Sequence, residues 1–202
     1  MTTLIGISGS LRQGSFNSSL LRAATALTPE GVTLEIASIR DIPLYDGDVE
    51  LQGIPSAVTA LKERIANCDG LLLVSPEYNN SIPGVLKNAI DWLTRPPGDI
   101  ARVFHGRPIA VMGASPGPFG TLLAQNAWLS VFRTLRTRPW FEGRLMVSRA
   151  ESVFNEHGEL IDEKVRGQLR QFVHGRLSPR WSAEAARRVA APRRGDQTRV
   201  SS

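Results

Sequence analysis

Apolar residues along the chain fall into two recurring patterns. Short β-branched or continuously apolar runs are typical of buried strands. Apolar residues spaced three and four positions apart indicate one buried face of a helix. The first pattern predicts strands over residues 3–7, 32–39, 70–75, 108–114 and 145–147. The second predicts helices over 18–27, 56–67, 83–93, 121–135 and 161–173, with loops at 41–55 and 95–107.

The alternation of five strands with five helices predicts one α/β domain. Such an order is typical of a doubly wound parallel sheet covered by helices on both faces, which gives three layers, α/β/α. Ligands bind this architecture at the carboxyl ends of the strands, where the winding reverses. Loops 9–18, 76–83 and 115–121 follow predicted strands one, three and four and are rich in Gly, Pro, Ser and Asn. We therefore expect one ligand to contact all three loops.

The first of these loops has the composition of an anion site. Its glycines allow close backbone approach, its hydroxyls are hydrogen-bond donors, and Arg12 adds a permanent positive charge. Asn17 or Ser18 is the expected N-cap of the following helix, so backbone N–H groups would point at the ligand. The loop matches neither GxxxxGK[ST] nor GxGxxG. A phosphate site and an ordinary polar turn both remain open on this composition alone.

The second loop, over residues 76–83, is more distinctive. Pro76 turns the chain, the Tyr78 ring is expected to face the crevice, and Asn79 supplies donors and acceptors. This arrangement suits a flat heteroaromatic ligand with carbonyls and ring nitrogens. No nucleophile–base pair is evident, which argues against hydrolysis. Glu77 is either a general base or a side chain that hydrogen-bonds its own loop.

Together the two loops resemble the NADPH-dependent FMN reductase family, which has a flavodoxin-like fold and includes chromate, quinone and azo-dye reductases. The resemblance covers about residues 3–175. It is carried by residues 9–12 and 15–17 in the first loop, and by residues 76–79, 81–84 and 87–91 in and after the second.

The resemblance implies a noncovalent FMN and a set of residues that hold it. The implied phosphate contacts are Ser10, Arg12, Ser15, Phe16, Asn17 and Ser18. The implied contacts to the isoalloxazine ring are Pro76, Glu77, Tyr78 and Asn79, with Ser115 and its neighbours on the third loop. The family also implies a homodimer or homotetramer. Leu123 stands where many relatives carry an arginine, so any contact of that arginine with the nucleotide or a partner subunit is absent here.

The positive net charge of +5 is concentrated at the C-terminal end. Residues 176–202 hold seven arginines against one glutamate and one aspartate, so residues 1–175 have equal numbers of basic and acidic side chains. We therefore predict a reductase domain over residues 1–175. Residues 176–202 are predicted to be a disordered or loosely helical tail, with a short helix possible at 182–191 and Trp181 as an anchor to the domain. A neutral domain gives no reason to expect a nucleic-acid partner.

The remaining candidates for chemistry are weak. No apolar run approaches the roughly 20 residues needed to span a bilayer, so no membrane partner is expected. Cys68 is the sole cysteine, which suits a reducing cytoplasm and a packing role. The three histidines have no metal-ligand spacing, so no metal is expected. Lys87 and Asp91 are expected to form an i,i+4 ion pair, and Trp128 and Phe132 to lie in the core or an interface.

The function expected from these observations is an FMN-dependent NAD(P)H oxidoreductase. NADPH or NADH would be the co-substrate, and a quinone, an azo dye, a metal oxyanion or free flavin would be the small-molecule acceptor. The protein would anchor the phosphate and leave one ring face open, while the flavin supplies the redox chemistry. Two alternatives stay open: a non-enzymatic flavin-binding electron carrier or interaction protein, and a doubly wound domain without flavin.

Overall fold

The computed structural model describes residues 1–176 and has a parallel sheet between two layers of helices. The strands are β1 (Thr2–Ser8), β2 (Val32–Ala37), β3 (Gly70–Val74), β4 (Pro108–Ala114), β5 (Arg138–Pro139) and β6 (Leu145–Val147). The helices are α1 (Phe16–Ala26), α2 (Gly47–Gln52), α3 (Ser56–Ala66), α4 (Gly84–Leu93), α5 (Ile100–Phe104), α6 (Leu122–Thr134) and α7 (Glu163–Arg176). Short 3₁₀ turns lie at Pro97–Asp99 and Ala150–Ser152.

The sheet has the strand order β2-β1-β3-β4-β5, with β6 also paired to β4, and all of these pairs are parallel. The winding direction reverses between β1 and β3, whose ends align because Ser8 pairs with Val74. This is the flavodoxin-like order, and the predicted three-layer α/β fold is confirmed. The reversal places the loops after β1 and β3 side by side.

The predicted fifth strand is interrupted. β5 pairs with the start of β4 and β6 pairs with its end, so the two pieces occupy the same edge of β4 one after the other. The Trp140 N–H still donates to the Ile109 carbonyl of β4 at 2.9 Å, and the Trp140 ring packs at 4.8 Å from that of Phe172 in α7. The chain then leaves the sheet until pairing resumes at Leu145.

Two segments predicted to be loops contain short helices. α2 forms inside 41–55 because Asp46 caps it, accepting a hydrogen bond from the Asp48 N–H at 2.8 Å. α5 forms inside 95–107, where the guanidinium of Arg107 donates to the carbonyl oxygens of Arg102 and Val103. Both helices are too short for apolar periodicity to reveal them.

Each face of the sheet is covered by its own apolar cluster. One cluster joins alternate residues of the strands to α1 and α7, with Leu4, Leu72 and Met112 among its members. The other joins the opposite residues to α3, α4 and α6, with Ile5, Leu71 and Trp128 among its members. The core thereby fixes the carboxyl ends of β1, β3 and β4 along one edge.

Several smaller predictions can be compared with the structure. Cys68 is buried, as predicted, and burial raises the pKa of its thiol.

The expected tail, including Trp181 and the possible helix at 182–191, lies outside the described residues apart from the end of α7. None of the described helices combines the length and apolarity that crossing a membrane requires.

Candidate functional site

The three Gly/Ser/Asn-rich loops meet in one open cleft of about 380 Å³ at the carboxyl edge of the sheet. Predicted site residues that line it are Ser10, Arg12, Ser15, Phe16, Asn17, Pro76, Glu77, Tyr78 and Ser115. Two others, Ser18 and Asn79, do not line this cleft. Ala114 and Pro116, the neighbours of Ser115, also line it, and so does Glu151, which the sequence did not single out.

The first loop ends in a capped helix start. Ser15, rather than the expected Asn17 or Ser18, is the N-cap of α1, and its Oγ accepts the Ser18 N–H at 3.3 Å. The next two residues, Phe16 and Asn17, carry N–H groups without an intrahelical acceptor because they begin the helix. These groups, with the positive end of the helix dipole, favour an anion at the mouth of α1.

Side chains complete this anion-binding end of the cleft. The Arg12 guanidinium is exposed and lies 5.3 Å from the centroid of the Phe16 ring. Ser10 has its hydroxyl 3.5 Å from that of Tyr78. The Ser18 hydroxyl is instead paired with that of Ser8 at 2.9 Å, which explains why Ser18 is turned from the cleft.

The side-chain amide of Asn17 is bonded to the last residue of β4. Its Nδ2 donates to the Ala114 carbonyl and its Oδ1 accepts the Ala114 N–H, both at 2.9 Å. Asn17 is 4% exposed, and one N–H and the oxygen of its amide are used by the last residue of β4. These two bonds leave the backbone N–H of Asn17 and the second N–H of its amide unused.

The second loop is a tight turn. Tyr78 and Ser81 exchange two backbone hydrogen bonds at 3.1 and 3.0 Å. Asn79 and Asn80 between them have positive φ values of 49° and 61°. Asparagine tolerates this left-handed region better than most residues, so turn geometry accounts for the Asn-Asn pair. The turn presents the Tyr78 ring, 47% exposed, at the cleft.

Glu77 hydrogen-bonds a neighbouring element rather than its own loop. Its Oε2 accepts the N–H groups of Leu123 and Ala124 at 2.7 and 2.9 Å. The N-cap residue of α6, Thr121, makes no side-chain capping bond, so Glu77 supplies the cap from outside. This engagement leaves the general-base alternative without structural support.

The third loop, 115–121, leaves β4 and returns to it. Ser115 continues the sheet through its N–H to Val147, while its Oγ accepts the Gly117 N–H at 3.1 Å. Thr121, at the far end, is fully buried against Gly113, the residue before Ala114. No pattern in the sequence indicated that Glu151, in the turn after β6, would reach this cleft.

Close packing between the first two loops shapes the floor of the cleft. A Cβ at position 9 would lie 2.9 Å from Pro76 and 2.8 Å from Leu86, so only glycine fits there. The cleft therefore has hydroxyl, guanidinium and helix N–H donors at one end and an aromatic ring at the other. Those features fit a phosphate joined to a flat ring system.

The other candidate residues from the sequence lie outside the cleft. Trp128 and Phe132 stack in the core at 5.7 Å, and the Trp128 Nε1 donates to Ser75 Oγ. Lys87 and Asp91 form the expected exposed ion pair at 2.8 Å. Within residues 1–176, no group of three or more histidine, cysteine, aspartate or glutamate side chains is arranged to hold a metal ion.

Residues 2–152 match the sequence profile of the NADPH-dependent FMN reductase family. The chain belongs to that family. The relation predicted from the loops around Arg12 and Tyr78 is thus confirmed, and with it the expectation of an NAD(P)H-dependent oxidoreductase that uses FMN.

Individual relatives agree with this membership. The chain is 45% identical over 168 residues to an NAD(P)H-dependent FMN reductase of Pseudomonas aeruginosa, covering 83% of this chain and 89% of the relative. It is 38% identical over 165 residues to a 2-hydroxy-1,4-benzoquinone reductase of a Burkholderia species, covering 82% and 88%. Among solved structures, the NAD(P)H:(acceptor) oxidoreductase flavoenzyme FerB of Paracoccus denitrificans superposes with a TM-score of 0.81 at 32% identity, covering 92% of this chain and 99% of FerB.

Proposed function

We propose that this reductase binds FMN in the cleft between its three loops and passes reducing equivalents from NAD(P)H to a small oxidised acceptor. The observation that carries the proposal is the convergence of loops 9–18, 76–83 and 115–121 on one cleft. Bound FMN would supply the redox chemistry, taking up hydride at N5 of its ring and delivering it to the acceptor. Quinones, azo dyes, metal oxyanions and free flavin are the acceptor classes proposed.

The side chains have separable tasks in this proposal. Arg12, Ser10 and Ser15 hold the phosphate at the mouth of α1, together with the backbone N–H groups of Phe16 and Asn17. Ser18 supports that loop through Ser8. Charge-assisted hydrogen bonds of this kind contribute about 1.5–3 kcal/mol each, enough in combination for tight noncovalent binding.

The ring would lie between the second and third loops. Pro76, Tyr78 and Ser115 line that part of the cleft, and Asn79 shapes it through the turn that presents Tyr78. Backbone N–H groups of residues 76–79 would serve the carbonyl edge of the ring, where negative charge develops on reduction. One ring face would stay open to solvent for NAD(P)H and for the acceptor.

A shared open face predicts ping-pong kinetics. NAD(P)⁺ must leave before the acceptor stacks on the same face, so double-reciprocal plots against NADPH at several quinone concentrations should be parallel. NADPH alone, without oxygen or acceptor, should bleach the flavin absorbance. Intersecting lines would require a ternary complex and contradict the shared face. A flavin that binds but is not bleached would overturn the reductase proposal and favour an electron carrier.

We also propose that the protein forms a homodimer or homotetramer. Large apolar side chains are exposed on or near α6, where Phe119 is 77%, Leu123 44% and Leu129 41% accessible. Exposed apolar side chains on one helix and on the loop before it make this region a candidate contact surface. Light scattering at micromolar concentration should give at least twice the mass of one 22.1 kDa chain. A monomer would contradict this and implicate Leu123.

A further inference from the structure

Both ends of the third loop, 115–121, are fastened by side chains that belong to the other two loops. Asn17, at the start of α1, holds Ala114 just before the loop through two hydrogen bonds. Glu77, in the second loop, holds Leu123 and Ala124 just after it through two more. The residue before the loop is thus bonded to the phosphate end of the cleft, and the residues after the loop are bonded to its ring end.

In both contacts the hydrogen-bond partner comes from a part of the chain that is distant in sequence. Ala114 and Asn17 are 97 residues apart, and the amide of Asn17 matches both the N–H and the C=O of a strand residue, as a paired strand would. α6 has no acidic residue in its first turn, and its N-cap side chain makes no capping bond. The carboxylate of Glu77 therefore provides both the hydrogen-bond acceptor and the negative charge that a helix start favours.

We propose that Asn17 and Glu77 are positioning residues, which act on the flavin through the third loop rather than as side-chain ligands of it. The expected effect on flavin binding rests on the proposed FMN site. The contacts that hold the loop are present in the protein without flavin. Backbone bonds from Ser115 to Val147 and from Ala150 to Ser115 also hold the start of the loop. Releasing either side-chain contact would therefore loosen the loop around Ser115 and Pro116 in the cleft without freeing it.

The first test measures amide hydrogen exchange over residues 113–124 in flavin-free protein. Glu77→Ala should raise exchange at Leu123 and Ala124 by about tenfold, and Glu77→Gln, which keeps an acceptor oxygen, should raise it less. Asn17→Ala, which removes both the acceptor of the Ala114 N–H and the donor to the Ala114 carbonyl, should raise exchange at Ala114. Exchange in α3 should be unchanged, which separates a local release from general destabilisation.

Matched controls remove neighbouring groups without touching the fastening. Glu151→Ala removes another carboxylate from the cleft, and Ser18→Ala removes another side chain from the first turn of α1. Exchange over 113–124 should stay at the wild-type rate in both. Wild-type exchange in the Glu77 and Asn17 variants as well would overturn the proposal.

The second test compares FMN dissociation constants from flavin fluorescence quenching. Each single variant should weaken binding by about tenfold, and the Asn17→Ala/Glu77→Ala double variant should lie within about threefold of the weaker single variant, because residues that hold one loop are not independent. Direct ligands would instead multiply to about a hundredfold, and that result would overturn the proposal. If wild-type protein failed to bind FMN, the proposed function would fall, whereas the exchange test would still decide whether the loop is fastened.

Discussion

At the scale of single residues, Arg12 brings an exposed positive charge to the mouth of α1. Its guanidinium is held over the Phe16 ring at 5.3 Å, a contact that limits the orientations of a long side chain. An arginine that is oriented in this way loses less entropy when it binds a phosphate. Much of the proposed affinity for the phosphate therefore depends on the Arg12 guanidinium.

Arg12→Ala should weaken FMN binding by roughly tenfold or more, since one charge-assisted hydrogen bond contributes about 1.5–3 kcal/mol. Titration of the apoprotein with FMN, followed by fluorescence, measures the change. Arg22→Ala is the matched control, because Arg22 lies farther along α1 and donates to Ser19 instead of lining the cleft. Equal affinities for wild type and Arg12→Ala would show that the first loop is only structural.

Lys62 is a buried cation whose partner confers pH-dependent stability. Its ammonium donates to Asp99 and to the Arg95 carbonyl, each at 2.6 Å, and the bond to Asp99 lowers the pKa of that carboxyl. A lowered folded-state pKa gives stability that is fully present above the unfolded pKa of about 4 and is lost as the pH falls through the folded value.

Asp99→Asn should therefore cost about 1–3 kcal/mol of unfolding free energy at pH 7, because Lys62 would lose its charged partner. The difference from wild type should shrink below about pH 4, as Asp99 itself becomes protonated. Urea unfolding at pH 7 and pH 3 measures both values. Glu156→Gln, on an exposed side chain, serves as the control. A difference that grew toward low pH would contradict the assignment.

Residue types in the site were predictable, but their partners were not. The sequence places Arg12, Asn17, Glu77 and Tyr78 in loops that parallel strands bring together. It does not show that the Asn17 amide meets Ala114 or that the Glu77 carboxylate meets α6, because those contacts depend on how helices pack over the sheet. The residue types that join loops to one another are also the types that bind ligands, so residue type alone does not separate the two roles.

At the scale of elements, the long periodic segments were predictable and the short ones were not. The predicted helices at 56–67 and 121–135 differ from α3 and α6 by a residue or two at their ends. The two-residue strand β5 contains Pro139, which a strand pattern disfavours, and it forms because β4 offers it an edge. The split of the fifth strand is therefore a tertiary effect that no local pattern encodes.

β4 and the end of the third loop are in contact at Gly113. A Cβ there would clash with the Ser75 carbonyl oxygen and lie 2.5 Å from Thr121 Oγ1. Gly113→Ala should destabilise the protein by about 3 kcal/mol, since backbone cannot move aside as a flexible side chain can. Gly167→Ala in α7, with open space around it, should stabilise by about 0.5–1 kcal/mol. Urea unfolding of both variants gives the comparison, and equal stabilities would refute the clash.

At the scale of the whole molecule, we predict that residues 1–175 are sufficient for folding and flavin binding. The segment 177–202 is rich in arginine, and five of its nine apolar residues are alanine, so its composition cannot bury much apolar surface. Deleting it should leave FMN content and the thermal midpoint nearly unchanged. A large loss of either would place Trp181 or its neighbours in the folded core.

The outer edges of the sheet determine whether copies of this protein can pair strand to strand. One edge is formed by the short strands β5 and β6, and Pro139 in β5 has no N–H to offer. At the other edge, the Ile36 carbonyl of β2 already accepts a hydrogen bond from Arg64, whose guanidinium also binds Glu35. Short, proline-bearing or side-chain-covered edges resist the strand-to-strand pairing that leads to aggregation. A crowded solution of this reductase should thus stay free of sheet-extended fibres, and any ordered assembly would be built through helices and loops.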